Sequence, residues 1–205
     1  MSDAACAVAP RSDAGCSDAG RSGASCLRAP RALHSCPPRG EWVAFAWYGG
    51  ALSLAIRRLK YEDCPFLARP LGQLLRGACR AASLKADVVV PAPLHPRRLA
   101  ERGYNQSALL ARHVAAEIGA PLYARALERT VDTPPQVDLS AEERRANVAA
   151  AFAVRQRAAV YGRTVLLVDD VLTTGATFDA CRNTLLAAGA QRVMGVVVAR
   201  TSPST

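Results

Sequence analysis

Long hydrophobic runs are missing from this 205-residue chain. No window approaches the roughly 18 to 20 consecutive apolar residues of a membrane span, and the N-terminus lacks the apolar core of a secretion signal. The reading is a cytoplasmic protein without membrane insertion. CxxC pairs are also absent, which removes the paired knuckles of a zinc ribbon. Aromatic residues make up 5% of the chain, so any base-stacking platform would be sparse. Lysine is limited to Lys60 and Lys85, and arginine supplies the rest of the basic charge.

What is present sets other bounds. Half of the residues are apolar, enough for one domain with a core plus an appendage and too few for two large domains. A formal charge of +9 favours anionic partners such as nucleotides, phosphosugars or nucleic acid. An arginine- and alanine-rich coding bias would give the same balance. The seven cysteines are odd in number and fit cytoplasmic thiols or metal ligands better than disulfides. Cys64, Cys79 and Cys181 lie among small or apolar residues and read as buried thiols.

Residues 1–40 form an irregular arm of Ala, Ser, Pro, Gly, Arg and Asp without apolar periodicity. Cys6, Cys16, Cys26 and Cys36 recur through it every ten residues, with His34 nearby. Four thiolates could close a tetrahedral zinc site, although this spacing is also that of a degenerate or flexible tail.

From residue 41 the patterning is that of one globular domain running to 205. Residues 51–61 (ALSLAIRRLKY) and 66–82 have helical apolar spacing. The Arg57, Arg58 and Lys60 cluster reads as a solvated face. A short run, DVVVP at 87–91, predicts a buried strand ended by proline. Residues 105–118 predict a helix closed by Gly119, with Leu109, Leu110, Val114 and Ile118 on one face. After an irregular stretch at 125–139, Ser-Ala-Glu-Glu opens a helix over 140–147 as a capping box, and a strand follows at 151–154. Next come a strand at 164–168 (TVLLV), a loop at 171–176, a helix to about residue 188 and a strand at 192–199 (RVMGVVVA). Strand, helix, strand in this space is a right-handed βαβ unit, so the fold class is α/β, with a parallel sheet flanked by helices.

Ligands of such sheets bind beyond the carboxyl ends of the strands, which places Asp169, Asp170 and the following turn at the expected site. Two adjacent carboxylates there can accept hydrogen bonds from vicinal sugar hydroxyls. Thr173, Thr174, Gly175, Ala176 and Thr177 offer three hydroxyls, a turn glycine and backbone N–H groups at a helix N-terminus, a set suited to a phosphate. A plain helix cap would need one hydroxyl and no carboxylates before it. Upstream, VPAPLHPRRLAERGYNQSA at 90–108 sets Arg97, Arg98 and Arg102 after a proline-stiffened strand end, as a basic loop. That loop could meet an anion or stand as a solvated turn.

Residues 165–177 (VLLVDDVLTTGAT) resemble the signature of type I phosphoribosyltransferases, whose ligand is 5-phosphoribosyl 1-diphosphate with magnesium. The resemblance implies that Asp169 and Asp170 hold the ribose hydroxyls and that Thr173 to Thr177 hold the 5′-phosphate. The 90–108 segment is similar to that of the ComF family of competence and DNA-utilisation proteins. It lies where other phosphoribosyltransferases bind diphosphate, a role that would fall to Arg97, Arg98, Arg102, Asn105 and Gln106. TPPQ at 133–136, RRANV at 144–148 and Ala151-Phe152 resemble that family's hood, with Gln136, Arg144 and Asn147 as candidates. The implied fold is a type I phosphoribosyltransferase-like parallel sheet.

Two departures qualify the resemblance. Family members commonly begin with CxxC pairs that bind zinc, which this chain lacks. Purine-salvage enzymes carry an acidic general base where this chain has Thr173, and threonine cannot take that role. The expected function is therefore a ComF-like protein that binds phosphoribosyl diphosphate or a related phosphosugar and serves competence, DNA uptake or DNA utilisation. Whether sugar transfer occurs is left open, because no visible group activates an acceptor. The alternatives are a non-catalytic module for single-stranded DNA, working with an uptake helicase and using Tyr104 as a stacking group, a nucleotide-metabolism phosphoribosyltransferase, or a regulator that senses the ligand.

Overall fold

The computed structural model describes residues 33–35, 41–131 and 151–201. A five-stranded sheet runs in the order β1-β2-β7-β6-β3. Its strands are β1 (Leu33–Ser35), β2 (Glu41–Trp47), β3 (Val88–Pro91), β6 (Thr164–Leu172) and β7 (Arg192–Arg200). The β2–β7, β7–β6 and β6–β3 pairs are parallel, and β1 adds an antiparallel edge on β2. A separate antiparallel pair joins β4 (Leu127–Arg129) to β5 (Phe152–Val154).

The sheet is covered on both faces, as its near-continuous apolar strands require. On one face lie α1 (Gly50–Tyr61), α2 (Ala68–Ala81) and α4 (Gln106–Ile118). Ile56, Leu59, Leu75, Leu110 and Val114 from these helices pack on Val89, Leu166, Val168, Val196 and Val198 of the strands. On the other face, α6 (Ala176–Ala187), the β4–β5 pair and α5 (Arg157–Val160) bury Phe152, Val160, Phe178 and Leu185 against Val88, Val90, Val165, Leu167 and Val193. Alternate residues of β3 and β6 thus serve opposite faces.

The expected helices and buried strands are present, with instructive shifts. The helix expected from residue 66 begins at Ala68, after a single 3-10 turn over Pro65–Leu67 that leaves Phe66 exposed. The stretch taken as irregular at 125–139 contains β4. The expectation of a basic loop around Arg97 is corrected, because α3 (Pro96–Arg102) is a helix. His95 Nδ1 accepts from the Arg97 N–H at 3.3 Å and Pro96 starts the first turn. Among the described residues no helix is long and apolar enough to cross a membrane. The helix expected at 140–147 and the cysteines Cys6, Cys16, Cys26 and Cys36 lie outside the described residues.

Strand β6 positions the site. It was expected to end at residue 168, yet it continues to Leu172, paired with β7 up to Arg200. On its other side β3 stops at Pro91, opposite Val168. Asp169 and Asp170 therefore stand on strand backbone that overhangs β3 at the carboxyl edge of the sheet.

Candidate functional site

The overhang is filled from the α4 side and from α1. The Ser107 hydroxyl, in the first turn of α4, donates to Asp169 Oδ1 at 2.7 Å, and the Asp170 N–H reaches the same oxygen at 2.9 Å. Lys60, in the last turn of α1, sets its Nζ 2.9 Å from Asp170 Oδ1. Asp170 is 2% exposed, and its other oxygen, Oδ2, has no hydrogen-bond donor among the described residues. A buried carboxylate oxygen without a donor is costly, and such an atom calls for an explanation in function.

Burial raises the Asp169 carboxyl to about 6, helped by the negative charge of Asp170 and opposed by the Ser107 hydrogen bond. For Lys60, burial works against the ammonium, but the Asp170 carboxylate outweighs it and holds the lysine above its ordinary value. The site thus contains a charged lysine against one acid and a second acid whose carboxyl burial holds above the ordinary carboxylate range.

After Leu172 the chain turns through Thr173, Thr174 and Gly175 into α6. Gly175 has φ +84°, in the left-handed region that favours glycine. Its carbonyl accepts from the Asp179 N–H at 2.8 Å, and the Ala176 N–H makes a long 3.4 Å contact to Thr174 Oγ1. Thr173, Thr174 and Thr177 are exposed. The five residues expected to bind phosphate form a hydroxyl-lined turn and the first residues of α6, separated from the acids by two residues.

The diphosphate candidates divide. Arg97 and Arg98 are exposed on α3, and Arg97 Nε pairs with Glu101 at 3.0 Å. Arg102 donates to Gln106 Oε1 and lies over the Tyr61 ring at 5.4 Å. Asn105 is committed to backbone: its Oδ1 accepts from the Ser107 N–H at 2.9 Å and the Ala108 N–H at 3.3 Å, capping α4, while Nδ2 donates to the Ala92 carbonyl at 3.0 Å. Gln106 is buried. Tyr104, considered as a stacking group, donates its hydroxyl to the Leu59 carbonyl at 2.6 Å and packs against the core. Gln136, Arg144 and Asn147 lie outside the described residues.

Two site residues escaped the sequence reading. Lys60, taken with Arg57 and Arg58 as a solvated face, contacts a site acid, although Arg57 and Arg58 are exposed. The signal was its position four residues after Ile56, which puts both on one helix face. Ser107 likewise precedes Leu110, Ala111 and Val114 at core-facing spacing. Of the thiols, Cys79 and Cys181 are buried as expected, with Cys79 pushed up to about 12 by burial and then by Glu117; Cys64 is only half-buried.

Scanning models of known families against this chain gives no match. Individual relatives do match. Competence protein F of Haemophilus influenzae is 34% identical over 164 residues, which span 77% of this chain and 71% of the relative. The chain belongs to the ComF family. The DNA utilization protein YhgH of Escherichia coli is 36% identical over 174 residues, covering 82% of this ComF-family chain and 76% of the relative. Among solved structures, the adenine phosphoribosyltransferase of Leishmania tarentolae aligns over 78% of this chain and 91% of its own, with 14% identity and a TM-score of 0.45. The glutamine phosphoribosylpyrophosphate amidotransferase of B. subtilis aligns over 63% of this chain and 25% of its own, with 24% identity and a TM-score of 0.45.

Proposed function

We propose that this ComF-family protein binds phosphoribosyl diphosphate or a closely related phosphosugar at the β6 overhang, in the service of DNA uptake or utilisation. The observation that carries the reading is Asp170 Oδ2. It is an unmet buried acceptor among the described residues, next to a second carboxylate and separated by two residues from a hydroxyl-lined turn at a helix N-terminus. A sugar hydroxyl supplies the missing donor, and the turn of Thr173 to Thr177 receives the 5′-phosphate through hydroxyls and backbone N–H groups. The relatives' names bring the DNA-utilisation role to this chain.

Magnesium fits this site as a companion of the ligand. Asp170 is already balanced by Lys60, and the described residues contain no cluster of three or more His, Cys, Asp or Glu that could hold a metal. Magnesium commonly rests on substrate phosphates with few protein ligands, and it would supply charge neutralisation to a departing diphosphate. Arg98 and Arg102 would meet the same negative charge, while Asp170 and the turn hold the two ends of the sugar in place. A cytoplasmic setting remains part of the proposal, and the ten-residue spacing of Cys6, Cys16, Cys26 and Cys36 stays open between a zinc site and a degenerate tail.

Calorimetry with phosphoribosyl diphosphate, with and without magnesium, tests the reading on the parent and on Asp169→Asn/Asp170→Asn. Binding by the parent that collapses in the double variant is expected. A parent that does not bind would refute it. Direct handling of single-stranded DNA is the second reading, favoured by exposed Arg97 and Arg98 on one short helix. It requires affinity to fall steeply between about 50 and 200 mM salt, and a flat salt titration removes it.

A further inference from the structure

Three successive residues at the end of α1 each hold a different neighbour, one of them a site acid. The Leu59 carbonyl accepts from the Tyr104 hydroxyl, Lys60 pairs with Asp170, and the Tyr61 ring lies under Arg102. The ordinary fate of a basic residue on this helix is visible beside them: Arg58 pairs with Glu62 across one turn at 3.2 Å, with about half of each side chain exposed. The Lys60 side chain is 22% exposed and its partner 3%. A pair this buried is held by geometry, and removing one partner strands the other charge.

From this we infer that Lys60 is the positioning residue of the sugar-reading site, its ammonium holding Asp170 by Oδ1 so that Oδ2 is left for a ligand hydroxyl. The inference rests on the phosphosugar reading above and adds a residue to it. Lys60 acts through Asp170 and does not touch the ligand. The hold on Oδ1 fixes which of the two oxygens is free, which a surface charge at the same distance would not do.

The test compares ribose 5-phosphate, which carries the hydroxyls and the 5′-phosphate, with inorganic phosphate, which can engage only the turn. Calorimetry is run on the parent, Lys60→Met, Lys60→Arg, Asp170→Asn and the double variant Lys60→Met/Asp170→Asn, with thermal melts to confirm folding. Lys60→Met is expected to weaken ribose 5-phosphate about 10-fold, as for residues in direct contact, and to leave inorganic phosphate within about 2-fold. Lys60→Arg should keep most of the affinity, because it keeps the charge. The double variant should bind like Asp170→Asn alone, and this holds even if Lys60→Met by itself does not fold, since the double variant strands no charge. Losses that multiply in the double variant, or a Lys60→Met protein that binds like the parent while Asp170→Asn is weakened, overturn the role of Lys60 alone. A folded parent that binds no ribose 5-phosphate takes down the phosphosugar reading and this inference with it.

Discussion

Gly195, in the middle of β7, faces the ring of Phe178 on α6. A Cβ at this position would lie 2.2 Å from Phe178 Cε2 and 2.9 Å from Cζ. Contacts of 3.4 Å and above are ordinary, so Gly195→Ala must drive the ring back by about 1.2 Å in a core packed like a crystal. Phe178 is 6% exposed and shares its cluster with Val165, Leu167 and Leu185, which leaves little room for retreat. Overfilling such a core costs about 1–3 kcal/mol, and replacing a strand glycine with alanine returns about 0.5–1 kcal/mol. The net loss is centred on about 1 kcal/mol, which lowers the melting temperature by about 2–4 °C for a chain of this size. Because Phe178 directly follows Thr177, the displaced ring also carries the hydroxyl-lined turn with it, and phosphate affinity falls. Thermal melts followed by circular dichroism measure the first effect. Phe178→Leu in the alanine background relieves the contact and recovers part of the loss. A Gly195→Ala protein that melts at or above the parent temperature refutes the close approach of α6 to β7.

Gly175→Ala tests the turn by strain alone, because its Cβ would meet only Asp179 Oδ2 at 3.8 Å while φ stays at +84°; a loss of about 1–2 kcal/mol is expected, and an unchanged melt would mean the turn relaxes to a negative φ. Asp169 makes stability depend on pH: its folded pKa of about 6 lies above the reference 3.8, so between these values the folded protein holds a proton that the unfolded chain has released. Its contribution to stability therefore improves as pH falls through 6 toward about 4 and is least favourable above 6. Urea melts should show Asp169→Asn at least as stable as the parent at pH 8, with the advantage shrinking toward pH 5; an advantage that grows on acidification contradicts the assigned shift.

The sheet and its flanking helices were legible where local pattern and tertiary burial agree. DVVVP and TVLLV are apolar on both faces because helices cover both faces, and that is readable from composition. The end of β6 was not readable, because Asp169 and Asp170 look like the start of a loop. Only the neighbouring β7, pairing as far as Arg200, keeps them in strand conformation. β4 was missed for a similar reason, since three residues carry no period of their own and are fixed by pairing with β5. Of the site, the acids and the turn were contiguous and therefore visible. Lys60 and Ser107 reach the acids from 110 and 62 positions away in the chain, so only the fold could reveal their contacts.

The charge balance explains why the carboxylates can be both buried and useful. Two adjacent acids alone would repel each other and also repel a phosphate arriving next to them. Lys60 removes half of that charge, and the Ser107 hydroxyl stabilises what remains on Asp169. On the proposed reading, the phosphate would meet N–H groups at the start of α6, where the helix dipole favours an anion. The sugar would meet an acceptor, and the phosphate donors, at opposite ends of the short segment from Asp169 to Thr177. A ligand that lacks either the hydroxyls or the phosphate would satisfy only one of these ends. A site of this kind would distinguish a phosphosugar from both a bare phosphate and an unphosphorylated sugar, with Lys60 at the end of α1 paired to Asp170 at 2.9 Å.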